Sequence, residues 1–435
     1  MNTQVVYRRL EGGRESNPNQ FHTETREPLG PIAIPIKDCR LCHSRTLVQI
    51  LSLGNQHVSD FVTAEGDSPR SPLELMRCTS CNLVQLKHTF PRDSLYRHYW
   101  YRSGISSTMR KALEDLVVKS CEIAQPKNGD IVVDIGCNDG TLLRSYKIPG
   151  LRLVGFEPAK NLVEEARKGT EFVFNDFFGY ELFRQKFPSS KAKLITSVAM
   201  FYDLDDPDTF VADIVKCLDP QGAWVIQQNY LCSMLEQNGF DNIGHEHLTY
   251  YSLGTMNRLL SNYDLEIFDI EKNDVNGGSF RTYVARRGQF PLLDSVEKMN
   301  EFERRLFSSK PSIYTSFAKN VRRIRSQLNE FIKDQTKKGR YGASTRGNTI
   351  LQYCKLDYHL IKRATDANPE KWGRKTPGTE IPIVSKDEAR RDNPDFFLVL
   401  PHHFLNEIMK EEETYLESGG KFIVPLPSFK VIAAD

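Results

Sequence analysis

The sequence has no apolar run near the roughly 18 residues that a membrane span requires. Its N-terminus has no apolar core of the kind a secretory signal carries. Both absences lead to the expectation of a cytoplasmic protein that does not contact a membrane. The sequence also lacks a surplus of either charge, with 58 Lys and Arg against 56 Asp and Glu. A dedicated nucleic-acid binder carries a clear basic excess, so no nucleic acid is expected as a partner. Internal repeats and low-complexity tracts are absent too. The nine cysteines are an odd number. In a reducing compartment such a total points to metal ligands and buried thiols, not to a disulfide framework.

What is present is ordinary for a globular protein: 39% hydrophobic and 26% charged residues over 435 positions. That is enough chain for roughly two or three domains. Residues 1–36 are polar and broken by Pro and Gly, which predicts a mobile tail. In 37–90, strand-like runs such as "TLVQILSLG" and "NLVQLKHTF" alternate with turn residues. In 91–290, an aromatic cluster, "LYRHYWYRSG", precedes an amphipathic helix and then repeated strand–helix alternation. That rhythm implies a parallel sheet with right-handed crossovers, closed by "DLEIFDIEKN" and "SFRTYVARRG" as an antiparallel pair. One helix is expected over "DTFVADIVKCLDPQG". A helical connector at 291–338 includes the basic run "NVRRIRSQ", read as a solvated face. A second α/β segment fills 339–435, with strands in "RYGAS", "IPIVS", "DFFLVLP" and "KFIVPLP" and a helix over "HHFLNEIMKEEETYLES".

The strongest local signal is Cys39-Arg-Leu-Cys42 and, after 35 intervening residues, Cys78-Thr-Ser-Cys81. Two such knuckles offer four thiolates, enough for a closed tetrahedral site. Four ligands leave no open position, so the expected metal is a structural Zn2+, although a sulfur-only site also accepts iron.

A second signal is "VVDIGCNDGTLL". An apolar strand ends at Asp134, and Gly136, Asn138 and Gly140 form a tight loop into a helix. The next strand ends at Glu157, where an acid can take both ribose hydroxyls. The loop is not G-x-G-x-x-G, so a nucleoside such as S-adenosyl-L-methionine suits it better than a dinucleotide. Asp176, after the third strand, stands where an adenine amine could be held.

"DIGCNDGTLL" with "GFEP" resembles a class I S-adenosylmethionine-dependent methyltransferase. The four-cysteine module, "HEHLTYYSL", "NGGSFR" and "YGASTRGNT" narrow the likeness. Together they resemble the nucleotide-sugar C-methyltransferase family over roughly Cys39 to Pro427. The resemblance implies an α/β protein: a Rossmann-like class I methyltransferase core, a small N-terminal zinc-binding β module and a C-terminal α/β domain. It implies methylation of a ring carbon of a deoxysugar, with a nucleotide-sugar or similar small-molecule substrate. A monomer or weak homodimer is expected.

In "IGHEHLTYYSL", His245, Glu246 and His247 could chelate, pack or move a proton. Alternate histidines share a face only on a strand, and no further ligand cluster accompanies them. Removing a C–H beside a carbonyl needs a base with pKa near neutrality, and His is the usual one. The resemblance maps the base onto His247, with Glu246 and His245 as neighbours. Gly244 stands where the family has a tyrosine, and Tyr250 or Tyr251 could replace that phenol. A family histidine after the fourth strand is replaced within "MFYDLDD", by Tyr202 or Asp203. Tyr99, Tyr101 and Ser103 are the expected cover over the cofactor, and Tyr202 is a further expected cofactor contact. Asn276, Gly278, Ser279 and Arg281 of "NGGSFR", with Arg346 of "GASTRGNT", are candidate substrate contacts through anion binding. An oxygen or nitrogen acceptor, or a zinc-knuckle module on a nucleic-acid-modifying domain, are the competing readings.

Overall fold

Five apolar runs become parallel strands because each buries apolar side chains in the core and is followed by a segment that carries the chain back. They are β1 (Ile131–Ile135), β2 (Arg152–Phe156), β3 (Phe172–Phe174), β4 (Ala192–Val198) and β5 (Leu218–Asn229). With β6 (Leu265–Asn273) and β7 (Ser279–Arg286), they form a seven-stranded sheet in the order β6-β7-β5-β4-β1-β2-β3. β7 runs antiparallel to both its neighbours, and the remaining pairs are parallel. Strand order reverses at β1, so the carboxyl ends of β1 and β4 border the crevice where an open α/β sheet takes its ligand. This computed structural model describes residues 33–58, 68–335, 341–344 (backbone only), 347–392 and 394–434. All of them fall in the compact unit Ile32–Asp435. Most of the tail expected at 1–36, and Arg346, lie outside the described residues.

The N-terminal segment forms a four-stranded antiparallel sheet. Leu47–His57, Arg70–Cys78 and Val84–Leu86 are joined there by Thr249–Tyr250, which comes from far along the chain. Arg70–Cys78 is a strand that its sequence does not announce, because Pro72 and three charged residues interrupt the apolar pattern. Burial still alternates, with Leu73 and Leu75 inside and Glu74 partly exposed. The C-terminal segment builds a six-stranded sheet, ordered Ile383–Val384, Arg363–Thr365, Tyr341–Ser344, Phe396–Leu398, Lys421–Val424, Lys430–Ile432. Only the last pairing is antiparallel. This sheet too reverses order at its first strand.

Apolar packing ties these sheets together. Cys39, Leu41, Cys78 and Leu83 share one buried cluster with Phe201 and Trp224 of the seven-stranded sheet's surroundings. A second cluster joins Leu51 and Leu75 of the small sheet to Phe240, to Phe317 and Val321, and to Ile350 of the C-terminal segment. The helix Ile313–Gln335 supplies Phe317 and Val321, while Arg322 and Arg323 of its basic run stay exposed.

Two helices differ from their sequence expectation. The one expected over "DTFVADIVKCLDPQG" spans Pro207–Cys217, capped by the Asp206 side chain on Thr209 N. Leu218 already begins β5, and its pairing with β4 is irregular between Leu218 and Ala223. The stretch "HHFLNEIMKEEETYLES" is a short turn and two helices, Leu405–Glu411 and Glu413–Glu417. The break falls at buried Glu412, which Lys386 and Arg390 draw inward at 2.8 and 2.6 Å.

Candidate active site

The four cysteines converge. Their sulfurs all lie within 4.8 Å of one another, with Cys39–Cys81 at 3.5 Å and Cys42–Cys78 at 3.6 Å. The two knuckles repeat one backbone design. His43 N donates to Cys39 O and Asn82 N donates to Cys78 O, both at 2.9 Å, with His43 and Asn82 in the left-handed region. A tetrahedral ZnS4 site with bonds of about 2.3 Å sets sulfurs about 3.8 Å apart, so this donor set fits the ion. Gln85 Nε2 donates to Cys39 Sγ at 3.2 Å, a contact that suits a thiolate.

A cavity of about 730 Å³ opens over the carboxyl edge of the seven-stranded sheet. Nine of the ten residues expected to meet the cofactor line it; Gly140 does not. Gly136, Asn138 and Gly140 all have positive φ, so the loop turns tightly out of β1. At Gly140 a side chain would also strike the Ala166 backbone at 2.9 Å, which makes this glycine a packing requirement. Glu157 bridges the loop to its own strand end: it accepts from Asn138 N at 2.7 Å and from Ala159 N at 2.8 Å. Burial pushes its carboxyl up to about 7 against those two donors. Asp134 is likewise pushed up to about 7 by burial, although Thr196 Oγ1 donates to it at 2.6 Å. Asp176, partly exposed, pairs with Arg97 at 3.0 Å.

The aromatic segment before the first long helix lies as a strap across this loop. Asn161 bonds both the N–H and the carbonyl of Tyr99, at 3.0 and 2.9 Å. Asn138 accepts from Ser103 N at 2.9 Å and donates to Tyr101 O at 3.0 Å. Asp139 holds Gly104 N at 2.8 Å. The C-terminal segment grips the strap from outside. Asn368 donates to Trp100 O at 3.0 Å, and the Arg374 guanidinium lies 4.4 Å from the Trp100 ring centroid.

The three residues of His-Glu-His separate in space. Glu246 and His247 line the cavity and His245 does not. His245 is 7% exposed, bonded to Ser71 O at 3.2 Å, and packed against Phe90. Burial lowers its pKa to about 4, so it stays neutral. His247 Nδ1 lies 2.7 Å from Asn242 O. A carbonyl can only accept, so Nδ1 carries the hydrogen and the ring's lone pair is on Nε2. The Tyr202 ring meets that imidazole edge to face at 4.5 Å. Tyr250 is buried outside the cavity lining, with its hydroxyl 3.4 Å from Asn242 O, and burial pushes its phenol up. Tyr251 is enclosed against Phe201.

Of the expected substrate contacts, Asn276 and Ser279 line the cavity. Gly278 packs on Ser233, leaving no room for a Cβ, which would fall 2.6 Å from Ser233 Cβ. Arg281 is 2% exposed and committed to the interior. It bonds Gln227 at 2.9 Å and pairs with Asp115 at 3.1 Å and Glu271 at 3.3 Å. It is therefore a buried strand-pairing charge and does not face the cavity. The sequence did not single out Asn161 or Asn368, whose roles arise from contacts between distant segments, nor Asn242, which reaches His247 within one folded loop.

Three sequence-family models match in succession: a domain described as zinc binding at 39–96, a methyltransferase domain at 101–270, and a C-methyltransferase C-terminal domain at 274–427. The chain is similar to C-methyltransferase NovU of Streptomyces niveus, 30% identical over 417 residues, which is 93% of this chain and 99% of that one. Among solved structures, an S-adenosylmethionine-dependent methyltransferase from Clostridium acetobutylicum is 13% identical, covers 41% of this chain and 92% of its own, and has a TM-score of 0.33. The plantazolicin methyltransferase BpumL with SAH is 13% identical over 41% of this chain and 84% of its own, also with a TM-score of 0.33.

Proposed function

This chain belongs to the C-methyltransferase family, as an S-adenosylmethionine-dependent methyltransferase, and on that premise we propose that it methylates a carbon of a nucleotide-linked keto-deoxysugar. The supporting observation is His247: its tautomer is set by Asn242 O, and its ring belongs to the same cavity as the glycine loop and Glu157. S-adenosylmethionine, when bound, supplies an electrophilic methyl group. Glu157 takes the ribose hydroxyls, Asp176 the adenine amine, and the Tyr99–Ser103 strap covers the nucleoside.

Nε2 of His247 removes the hydrogen beside the sugar carbonyl, and the C–H electron pair passes into an enolate. Glu246 orients or polarises from the cavity wall. The carboxyl edge of the C-terminal sheet contributes Asn348, Asp366 and Lys371 to the same cavity, which gives room and polar groups for a substrate larger than a lone sugar. The divisions 37–90, 91–290, 291–338 and 339–435 serve as zinc module, methyltransferase domain, connector and substrate-side domain. The chain acts as a monomer or weak homodimer.

In deuterated water the acceptor's α-hydrogen should be lost during methylation. His247→Ala should keep SAH binding and lose turnover. A product methylated on oxygen or nitrogen, with the α-hydrogen retained, would overturn the reading.

A further inference from the structure

Among the carboxyl groups in the cavity wall that have no part in the scheme above, Asp203 stands beside the base. Asp203 ends the short turn Phe201–Asp203 that follows β4, and it lines the cavity. Three contacts pin this turn onto the His-Glu-His stretch. Thr249 Oγ1 donates to Tyr202 O at 3.0 Å, Tyr202 meets His247 at 4.5 Å, and Phe201 packs on Tyr251 at 5.2 Å. Asp203 therefore shares one wall with Glu246 and His247.

The surroundings of Asp203 suit a neutral carboxylic acid. Its Oδ1 is closed to solvent and receives no hydrogen bond. An ionised carboxylate with an oxygen in that position would lose its hydration with nothing to replace it. The charged neighbour that bears on it most is another acid, Glu246. Tyr96, from the helix Arg92–Tyr96, is also within hydrogen-bonding reach. A hydrogen bond from Tyr96 would favour the ionised form, but its hydroxyl donates to Glu246 O at 2.9 Å. Tyr99, Tyr202 and Tyr250 also lie around the pair, and the imidazole on this wall is that of His247, against Tyr202. The charge that bears on Asp203 is thus negative. Burial, reinforced by Glu246, holds the Asp203 carboxyl well above the usual carboxylate range.

We propose that Asp203 is the hydrogen-bond donor that stabilises the oxygen anion formed when His247 removes the α-hydrogen of the substrate. This rests on the carbon-methylation reading and adds to it the group that receives the developing charge. The C–H bond breaks, its proton goes to His247 Nε2, and its electron pair shifts to the carbonyl oxygen. That oxygen accepts from the Asp203 O–H, which keeps its proton. When the new C–CH3 bond forms, the carbonyl is restored and the sulfonium sulfur keeps the pair from the broken S–CH3 bond. A buried acid that stays neutral can give such a hydrogen bond at neutral pH, whereas a carboxylate cannot.

The experiment uses the full chain, SAH, and thymidine diphosphate-4-keto-6-deoxyglucose as the probe, with α-hydrogen exchange into deuterated water followed by NMR. Asp203→Ala should slow exchange on the order of 10²–10³-fold, the cost of removing one donor from an oxyanion site. Asp203→Asn keeps a donor and should remain within about tenfold of wild type, while losing the alkaline limb of the wild-type rate profile. SAH affinity should be unchanged in Asp203→Asn, which separates the effect from misfolding. An infrared difference between wild type and Asp203→Asn at neutral pH should contain the carbonyl stretch of a protonated carboxyl. Exchange in wild type that both variants retain undiminished, or a carboxylate band in that difference, overturns the assignment of Asp203. No exchange in wild type removes the carbon-methylation reading itself, and this proposal with it.

Discussion

Tyr202 and His247 meet edge to face with ring centroids 4.5 Å apart, although 45 positions separate them in the chain. One comes from the turn after β4 and the other from the loop that follows β5. Their contact is where the two segments bordering the sheet's carboxyl edge become a single wall. Asn242 O holds one side of the imidazole and Tyr202 fills another. The ring is thereby restrained in position and in tautomer, as a proton-transfer group needs.

Removing the aromatic partner should loosen that restraint. An aromatic pair contributes about 0.5–1.5 kcal/mol beyond its buried area. Tyr202→Ala is therefore expected to lower kcat roughly 2- to 12-fold, and Tyr202→Phe should stay near wild type. Steady-state kinetics on both variants checks this, and an equal loss in the two would shift the role to the phenol hydroxyl.

The cysteine cluster should hold metal. Elemental analysis of the purified protein is expected to give one zinc per chain. Cys78→Ser should lose the ion and lower Tm by more than about 5 °C, because Cys78 and Cys39 are fully enclosed in a core shared with Phe201 and Trp224. Unchanged Tm on complete chelation would mean that the sulfurs hold together without a metal.

Two buried acids give the cofactor site a pH dependence with a definite sign. Asp134 and Glu157 are both pushed up to about 7. Between the ordinary carboxylate value near 4 and that value, the folded chain keeps protons that the unfolded chain has lost. For these two groups stability is highest at low pH, falls as pH rises through that window, and levels off above it. Binding runs the other way, since ionised Glu157 is the better acceptor for ribose hydroxyls. SAH affinity should rise about tenfold from about pH 6 to about pH 8 by calorimetry. Glu157→Gln should flatten that curve.

Much of this was legible in the sequence wherever the signal is local. The two cysteine knuckles, the β1 loop and the acid at the end of β2 are each set by neighbours within a few positions. The alternation of strand and helix follows from apolar runs cut by turns. Beyond the closing β6–β7 pair, what could not be read is which strands pair. Arg281 beside Gly277-Gly278 looks like an anion site, yet its cross-strand neighbours are Gln227 and Glu271, and they absorb its charge. His245 and His247 look equivalent, and only the folded loop sends one to Ser71 and the other to the cavity. Thr249–Tyr250 completes a sheet begun some 200 residues earlier, a pairing that no local pattern encodes.

The strap over the glycine loop is the place where the C-terminal segment can affect the cofactor without touching it. Asn368 donates to Trp100 O, Arg374 lies over the Trp100 ring, and Arg102 pairs with Glu370 at 2.7 Å. The exposed ion pair is expected to matter little. The hydrogen bond is worth about 1 kcal/mol, and the cation–π contact about 0.5–1 kcal/mol. Together they hold Trp100 between Tyr99 and Tyr101, both in the cavity wall. Asn368→Ala combined with Arg374→Ala should therefore weaken SAH binding about tenfold, whereas Glu370→Gln should change it by less than about twofold. Adding Trp100→Ala to the double variant should produce little further loss, because the contacts it would remove are already gone. A full additional loss in that cycle would show that Trp100 acts on the nucleoside directly and that the C-terminal grip does not govern the strap.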